Sequence, residues 1–261
     1  MNAILKYPGS KWRIAKQISN LIPYHHSYVE PFFGSGAVFF NKHPSSIETI
    51  NDLDDNVVNL FRCIRDNPKI LASKVAATPY SRSEYEHAFE LDAEDTQDNY
   101  EKAAKFLIRC WQGHGFRNDG TKVGWKRDVH GRESMYSLRE WYSLPKKILN
   151  VAERLRCVQI ENRPAIELIQ HYNYSDVFMY IDPPYLKSTR LSGRKMYQHE
   201  MQDEDHIELL ENLKNSKAKI MISGYDSDLY NSILSDWRKI NFRSNNDYGS
   251  SSNEVIWMNC Q

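Results

Sequence analysis

The chain has 261 residues, 41% of them hydrophobic, and its 34 basic and 34 acidic side chains give a net charge of zero and a pI near 7.1. That is enough for one sizeable core, or for one domain carrying a large insertion, and no nucleic-acid partner is advertised by global charge. Apolar runs are short and the first residues, Met1-Asn-Ala-Ile-Leu-Lys6, hold no long apolar stretch, so neither export nor a membrane span is expected and the expected location is the cytoplasm.

The first predicted strand is Ser27-Tyr-Val-Glu30, followed at once by Pro31-Phe-Phe-Gly-Ser-Gly36 and an apolar helix start at Ala37-Val-Phe-Phe40. A second strand over residues 46–51 delivers Asp52, and residues 56–65 then read as helix. From about Cys63 to Asn150 the strand and helix alternation breaks, and this stretch reads as a mostly helical insertion with an irregular basic segment over 113–133. Its charge is uneven. Residues 84–101 hold eight acids and no Lys or Arg, as a solvated face or exposed loop would; residues 102–156 hold thirteen Lys or Arg against five acids, interleaved with Trp111, Phe116, Trp125, Tyr136, Trp141 and Tyr142. Basic and aromatic residues together suit phosphate neutralisation and base contact, although amphipathic helices with core aromatics and solvated cations would read the same way.

A third strand over 157–161 ends at Asn162 and Arg163, with Pro164 suited to the start of a helix over 165–172. The fourth, Val177-Phe-Met-Tyr-Ile181, runs into Asp182-Pro-Pro-Tyr185. Acids in the first turn and apolar residues at Ile207, Leu210 and Leu213 predict a helix over 203–214, and a fifth strand follows over 219–223. Residues 239–243 and 254–259 flank a polar, glycine-containing stretch and predict an antiparallel pair. The pattern is α/β: a mainly parallel, Rossmann-like sheet with helices on both faces, and ligands beyond the carboxyl ends of its strands. Gly34, Gly36, Asp52, Asn162 and Asp182 all fall on that one rim.

The residue types there suggest a chemistry. Asp182 and the Pro183 carbonyl can accept the two hydrogens of an exocyclic amine, Tyr185 can stack on a flat base, and neither Pro183 nor Pro184 has an N–H to donate. Gly34 and Gly36 let the backbone approach a ligand, and the helix N-terminus after them would supply free N–H groups. The loop lacks the final glycine of the dinucleotide fingerprint and any Gly-Lys-Ser/Thr, so NAD and P-loop readings are weak. Asp52 can accept from both hydroxyls of a ribose, and by itself would equally fit a helix N-cap. Together these features indicate an adenosyl ligand without a pyrophosphate. Cys63, Cys110, Cys157 and Cys260 lie far apart without a C-x-x-C, so buried reduced thiols are expected in place of zinc or disulfides; His25, His26 and His206 form no ligand pattern with them.

Lys6-Tyr-Pro-Gly-Ser-Lys11, Glu30-Pro-Phe-Phe-Gly-Ser-Gly36, Asn51-Asp52 and Asp182-Pro-Pro-Tyr185, in that order and with an insertion before the last, resemble the DNA adenine methyltransferase (Dam) family of N6-adenine enzymes. The resemblance spans essentially the whole chain. It implies S-adenosylmethionine as cofactor and a flipped adenine in double-stranded DNA as substrate, with no metal and no membrane partner; a monomer is the simplest expectation. By position it implies that Tyr7 lies against the cofactor, that Lys11 contacts it or braces its pocket, and that Gly9 and Glu30 belong to the same site. Phe32, Gly34, Ser35 and Gly36 would form the methionine-side loop, Asp52 would bind the ribose, and Asp182, Pro183, Pro184 and Tyr185 would hold the adenine. Where the family often has an acid near the cofactor's adenine amine, this chain has Asn162, whose amide oxygen can accept the same hydrogen. Lys6 matches a position that touches bases in better-known relatives.

The expected division is a catalytic domain over 1–62 and 151–261 with a DNA-recognition insertion over 63–150. Arg117, Asn118, Lys122, Lys126 and Arg127 are the expected DNA contacts there, and Lys187, Arg190, Arg194 and Lys195 are further candidates in the loop after Tyr185. Alternatives of other classes are methylation of another amine, on RNA adenine, cytosine N4 or a protein glutamine, and a DNA-binding protein that holds the cofactor without methylating. The Asp before Pro-Pro-Tyr favours adenine.

Overall fold

The computed structural model describes residues 3–90, 98–118, 120–127, 136–190, 196–245 and 251–260. Its strands are β1 (Ser27–Glu30), β2 (Ile47–Asn51), β3 (Val158–Glu161), β4 (Val177–Ile181), β5 (Lys219–Tyr225), β6 (Arg238–Asn245) and β7 (Ser251–Met258), in one sheet of spatial order β3-β2-β1-β4-β5-β7-β6. The first five are parallel and β7 enters antiparallel between β5 and β6. The strand order reverses between β1 and β4, and the crevice at such a switch point is where open α/β sheets bind ligands. Glu30 ends β1, and Asp182 follows β4 directly.

β1 and β4 are buried along their whole length, as central parallel strands covered on both faces must be. The pleat divides their side chains between two cores. Tyr28, Phe178 and Tyr180 join a core on one face, whereas Val29, Val177, Met179 and Ile181 join the other. The second core is completed by α7 (Ala165–His171), α8 (Asp203–Lys214) and α9 (Asp228–Ile233), through residues such as Leu168, Leu209, Leu213 and Tyr230.

The helical insertion consists of α2 (Asp55–Asp66), α3 (Pro68–Ala77), α4 (Arg82–Glu90), α5 (Asn99–Gln112) and α6 (Tyr136–Leu155), and a short α1 (Ala15–Ser19) precedes β1. The division expected at 62/63 and 150/151 falls inside α2 and α6, so both helices run without a break from insertion to sheet. Leu71, Phe106, Trp111, Trp141 and Leu144 share the first core with the sheet residues. Arg154 near the end of α6 donates to Glu48 of β2 at 2.7 Å, and Glu48 also accepts from Lys42 at 2.5 Å. Burial pushes the Glu48 carboxyl up, but the Arg154 and Lys42 hydrogen bonds outweigh it and hold it below the usual range. The resulting ion cluster clamps the last insertion helix to the sheet.

Two local expectations are corrected. The segment after Gly36 is no regular helix: Phe40 N–H donates to Gly36 and Lys42 N–H to Val38, and the chain then leaves the turn ahead of Pro44, which can donate no further helical bond. The cap of α2 is Asp54, which accepts from Asn56 N–H at 2.9 Å. Asp52 is thereby released from the capping role that its position alone would allow. Arg194, Lys195, Arg132, Glu133 and the acids Asp92, Glu94 and Asp95 lie outside the described residues.

Candidate active site

A cavity of about 490 Å³ opens at the switch point, within the roughly 300–1,000 Å³ of small-molecule sites. Tyr7, Gly9, Lys11, Glu30, Phe32, Gly34, Ser35, Asp52 and Asp182 all line it, joined by Pro184; Gly36, Asn162, Pro183 and Tyr185 do not. Tight backbone explains the glycines that do. At Gly34, with φ of 47°, an added Cβ would sit 3.1 Å from the Tyr7 ring, and at Gly9, with φ of 71°, it would sit 2.3 Å from the Tyr197 hydroxyl. Both positions combine a left-handed backbone with close aromatic approach. Ser35 is buried and its hydroxyl meets that of Ser10 at 2.9 Å, tying the glycine loop to the amino-terminal segment.

Asp52 stands at the carboxyl end of β2, partly exposed to the cavity. Its Oδ2 accepts from Gly34 N–H at 2.7 Å and its Oδ1 from Asp54 N–H at 2.9 Å, so the carboxylate is held edge-on to the glycine loop. Burial pushes this carboxyl up to about 7, against the downward pull of those two N–H groups and with a further push from the Asp54 charge. Asn162 donates its amide N–H to the Asp52 carbonyl at 2.9 Å, an orientation that leaves its amide oxygen as the acceptor. Glu30 accepts from the Tyr28 hydroxyl at 2.6 Å, and burial pushes it up to about 8, with the hydroxyl pulling down and the Asp182 charge adding to the rise.

The loop after β4 is built around one carboxylate. Asp182 Oδ1 accepts from Ser223 at 2.7 Å and meets the Lys11 ammonium at 3.0 Å, which leaves Oδ2 without a partner among the described residues. Lys11 is only 4% exposed and also donates to the Gly9 carbonyl at 2.6 Å. Burial lowers its pKa, but the charges of Asp182 and Glu254 more than compensate and keep it protonated. The same ammonium lies 4.6 Å from the centre of the Tyr185 ring. Tyr185 donates to Glu254 at 2.6 Å and meets the Tyr225 ring edge-on at 4.8 Å. A base stacking on Tyr185 from the Lys11 side would therefore have to displace that ammonium.

The residues expected at DNA divide. Lys122 and Arg127 are exposed, Arg117 and Lys126 are partly exposed, and Lys187 is exposed with its ammonium on Gln202. Lys6 pairs with Glu140 at 2.6 Å over the Trp111 ring. Asn118 belongs to the cavity: it is 7% exposed and donates to Asp54 at 2.8 Å and to the Tyr7 hydroxyl at 2.7 Å. Arg190 is not presented to solvent either, because its guanidinium is buried on Glu200 at 2.8 Å and also donates to the Tyr185 carbonyl. Glu200 in turn accepts from the N–H groups of Met196 and Tyr197, which brings Tyr197 to the cavity wall. None of Ser223, Tyr225, Glu254, Tyr197 or Glu200 stands out in the sequence as a site residue; a tyrosine and an acid shortly after a strand-end motif were the only local signal for the last two.

The switch-point cavity thus brings the glycine loop, Asp52 and Asp182 together at the carboxyl ends of the parallel strands, the place where α/β enzymes bind their ligands. The model of the D12 class N6 adenine-specific DNA methyltransferases matches residues 7–245, and the chain belongs to that family. It is 27% identical over 96% of its length to the type II methyltransferase M1.LlaDCHI of Lactococcus lactis subsp. cremoris, 91% of which is covered. It is 24% identical to the type II methyltransferase M.MjaIII of Methanocaldococcus jannaschii, over 88% of this chain and 86% of that one. To the DNA adenine methylase of Escherichia coli K12 it is 21% identical, over 87% and 82%. Among solved structures, an S-adenosylmethionine-dependent methyltransferase from Agrobacterium tumefaciens aligns at a TM-score of 0.40 and 10% identity, over 95% of this chain and 60% of that one, a distant likeness. The family's reaction is methyl transfer to adenine N6 of DNA, and it implies S-adenosylmethionine as methyl source.

Proposed function

We propose that this chain transfers the methyl group of S-adenosylmethionine directly to N6 of an adenine turned out of double-stranded DNA at a specific site. The observation that carries this reading is the meeting of Asp52, the Gly34 loop and Asp182 at one cavity of suitable volume in a D12-class chain. The bound cofactor supplies an electrophilic methyl on a sulfonium. Asp52 would accept from its ribose hydroxyls through the lone pairs that Gly34 and Asp54 leave free, with Tyr7 and Phe32 flanking the loop beside it. Asp182 Oδ2 and the Pro183 carbonyl would accept the two amine hydrogens and so leave the nitrogen lone pair free to take the methyl, the surplus amine proton passing on to water; positioning and electrostatics would supply the catalysis. None of the cysteines Cys63, Cys110, Cys157 and Cys260 lines the cavity, in keeping with transfer that forms no covalent enzyme intermediate. The helical insertion supplies DNA recognition, and a DNA substrate puts the work in the cytoplasm. No helix among the described residues is long and apolar enough to cross a membrane, and no described cluster of His, Cys, Asp and Glu could hold a metal.

The direct test is expression followed by nucleoside mass spectrometry of host or plasmid DNA. N6-methyladenine is the expected product; methylated cytosine alone, or no modified base from folded protein, overturns the reading.

Two further results are expected. Asp52→Ala should weaken S-adenosylhomocysteine binding by about 1.5–3 kcal/mol, roughly ten- to a hundredfold. Because the free carboxyl titrates near 7 and must be ionised to accept from a ribose, binding should expel a proton at pH 6.5 and almost none at pH 8.5. Calorimetry in buffers of different ionisation enthalpy measures that release, and equal values at both pH values would remove Asp52 from the ribose site. At the insertion, Lys122→Ala and Arg127→Ala should each weaken binding to all DNA sequences alike and lower the salt slope by about one unit. An unchanged slope in both would move DNA contact away from residues 113–127.

A further inference from the structure

We propose that Glu254, from β7 and far in sequence from any motif of the site, is the positioning residue that fixes the ring of Tyr185 in the plane needed by the acceptor base. The inference rests on the reading above, in which the base is held beside Tyr185. Tyr185 sits on a loop, and two torsions set its ring. Both are pinned by a single pair of neighbours. Glu254 and Tyr225 are cross-strand partners on β7 and β5; the first accepts the Tyr185 hydroxyl at 2.6 Å, and the second meets the ring at 74° with centres 4.8 Å apart. The hydroxyl bond stops the ring from swinging, and the edge contact stops it from flipping flat onto the sheet.

Glu254 is 8% exposed and does not line the cavity, so it acts through Tyr185 and touches neither base nor cofactor. A buried carboxylate accepting a phenol hydrogen is a strong, directional contact, and its charge is balanced by Lys11, which serves Asp182 at the same time. One rival role exists on these facts: Glu254 could serve only to offset the Lys11 charge. The two roles differ in whether the Tyr185 hydroxyl matters.

The experiment is a double-mutant cycle on Glu254→Ala and Tyr185→Phe, read as single-turnover methylation of whichever nucleoside the wild type methylates, with S-adenosylhomocysteine affinity and urea denaturation measured beside it. Glu254→Ala and Tyr185→Phe should each slow methyl transfer roughly ten- to a hundredfold, the scale of a misplaced reacting group, and the double variant should be no slower than the slower single. Cofactor affinity should stay within about twofold, because neither residue lines the cavity. Glu254→Gln keeps an acceptor oxygen and should restore most of the rate, which also covers the case in which the alanine variant folds poorly. Multiplying effects in the double variant, or a wild-type rate in Glu254→Ala, would overturn the positioning role. A wild type that methylates cytosine instead of adenine would overturn only the substrate, because the cycle runs on either product.

Discussion

Asp182→Asn should lose methyl transfer as completely as Asp182→Ala, on the order of 10²- to 10³-fold in single-turnover rate. The reasoning is geometric. Ser223 and Lys11 both donate to Oδ1, so an asparagine would keep its carbonyl oxygen there and turn its NH₂ to the Oδ2 position. A donor would then face the donor amine of the substrate, and the amine would lose the acceptor that aims its lone pair. S-adenosylhomocysteine should still bind, because the glycine loop and Asp52 are untouched. A rapid-quench assay with saturating cofactor decides this, and an asparagine variant within tenfold of wild type would separate Asp182 from the reaction.

Lys11→Met should be costly in a different way. The ammonium is buried between Asp182 and the Gly9 carbonyl and also offsets Glu254, so its removal strands two carboxylates in a poorly hydrated site. Breaking a buried pair in this manner costs about 3–5 kcal/mol. Burial already pushes the Glu254 carboxyl up and the Lys11 charge pulls it down, so without that charge Glu254 should bind a proton more tightly and hold the Tyr185 hydroxyl less firmly. Activity at pH 7 should therefore fall and recover in part as the pH rises, with the acidic limb of the rate profile moved to higher pH. Urea denaturation and a pH series of single-turnover rates test both halves; wild-type stability with an unmoved acidic limb would reduce Lys11 to a bystander.

The sheet was largely legible because its strands end in recognisable residues. The strand ends at Glu30, Asn51, Glu161 and Ile181 follow from apolar or alternating runs that stop at an acid, asparagine or proline, and all four are found. Spatial order was not legible, because nothing local in 251–258 says that this strand slides between β5 and β6. The four apolar residues Ala37-Val-Phe-Phe40 read as a helix start, but Pro44 stops the helix before it forms. The candidate site divides in the same way. Tyr7, Lys11, Asp52 and Asp182 fall in short motifs and gather at one cavity, whereas Ser223, Tyr225 and Glu254 stand behind its wall, bonded to Asp182 or packed on Tyr185, through cross-strand pairing that no motif encodes. Asn118 and Arg190 were read by charge and neighbourhood as outward contacts. In both, a buried carboxylate partner, Asp54 or Glu200, turns the side chain inward.

The whole helical insertion lies between β2 and β3, which pair in parallel from Glu48 with Val158 to Asn51 with Glu161. The pairing fixes the end of β2 and the start of β3 relative to each other, so the segment that leaves one and enters the other is anchored at both ends. Doubling the length of a flexible loop between such anchors would add only about 0.6 kcal/mol of closure entropy; here the segment is helical and its Leu71, Phe106, Trp111 and Trp141 are buried with the sheet. Length is therefore cheap to vary only in the exposed turns between these helices, whereas the helices themselves are tied into the core and the segment after α5 is tied, through Asn118, into the cavity.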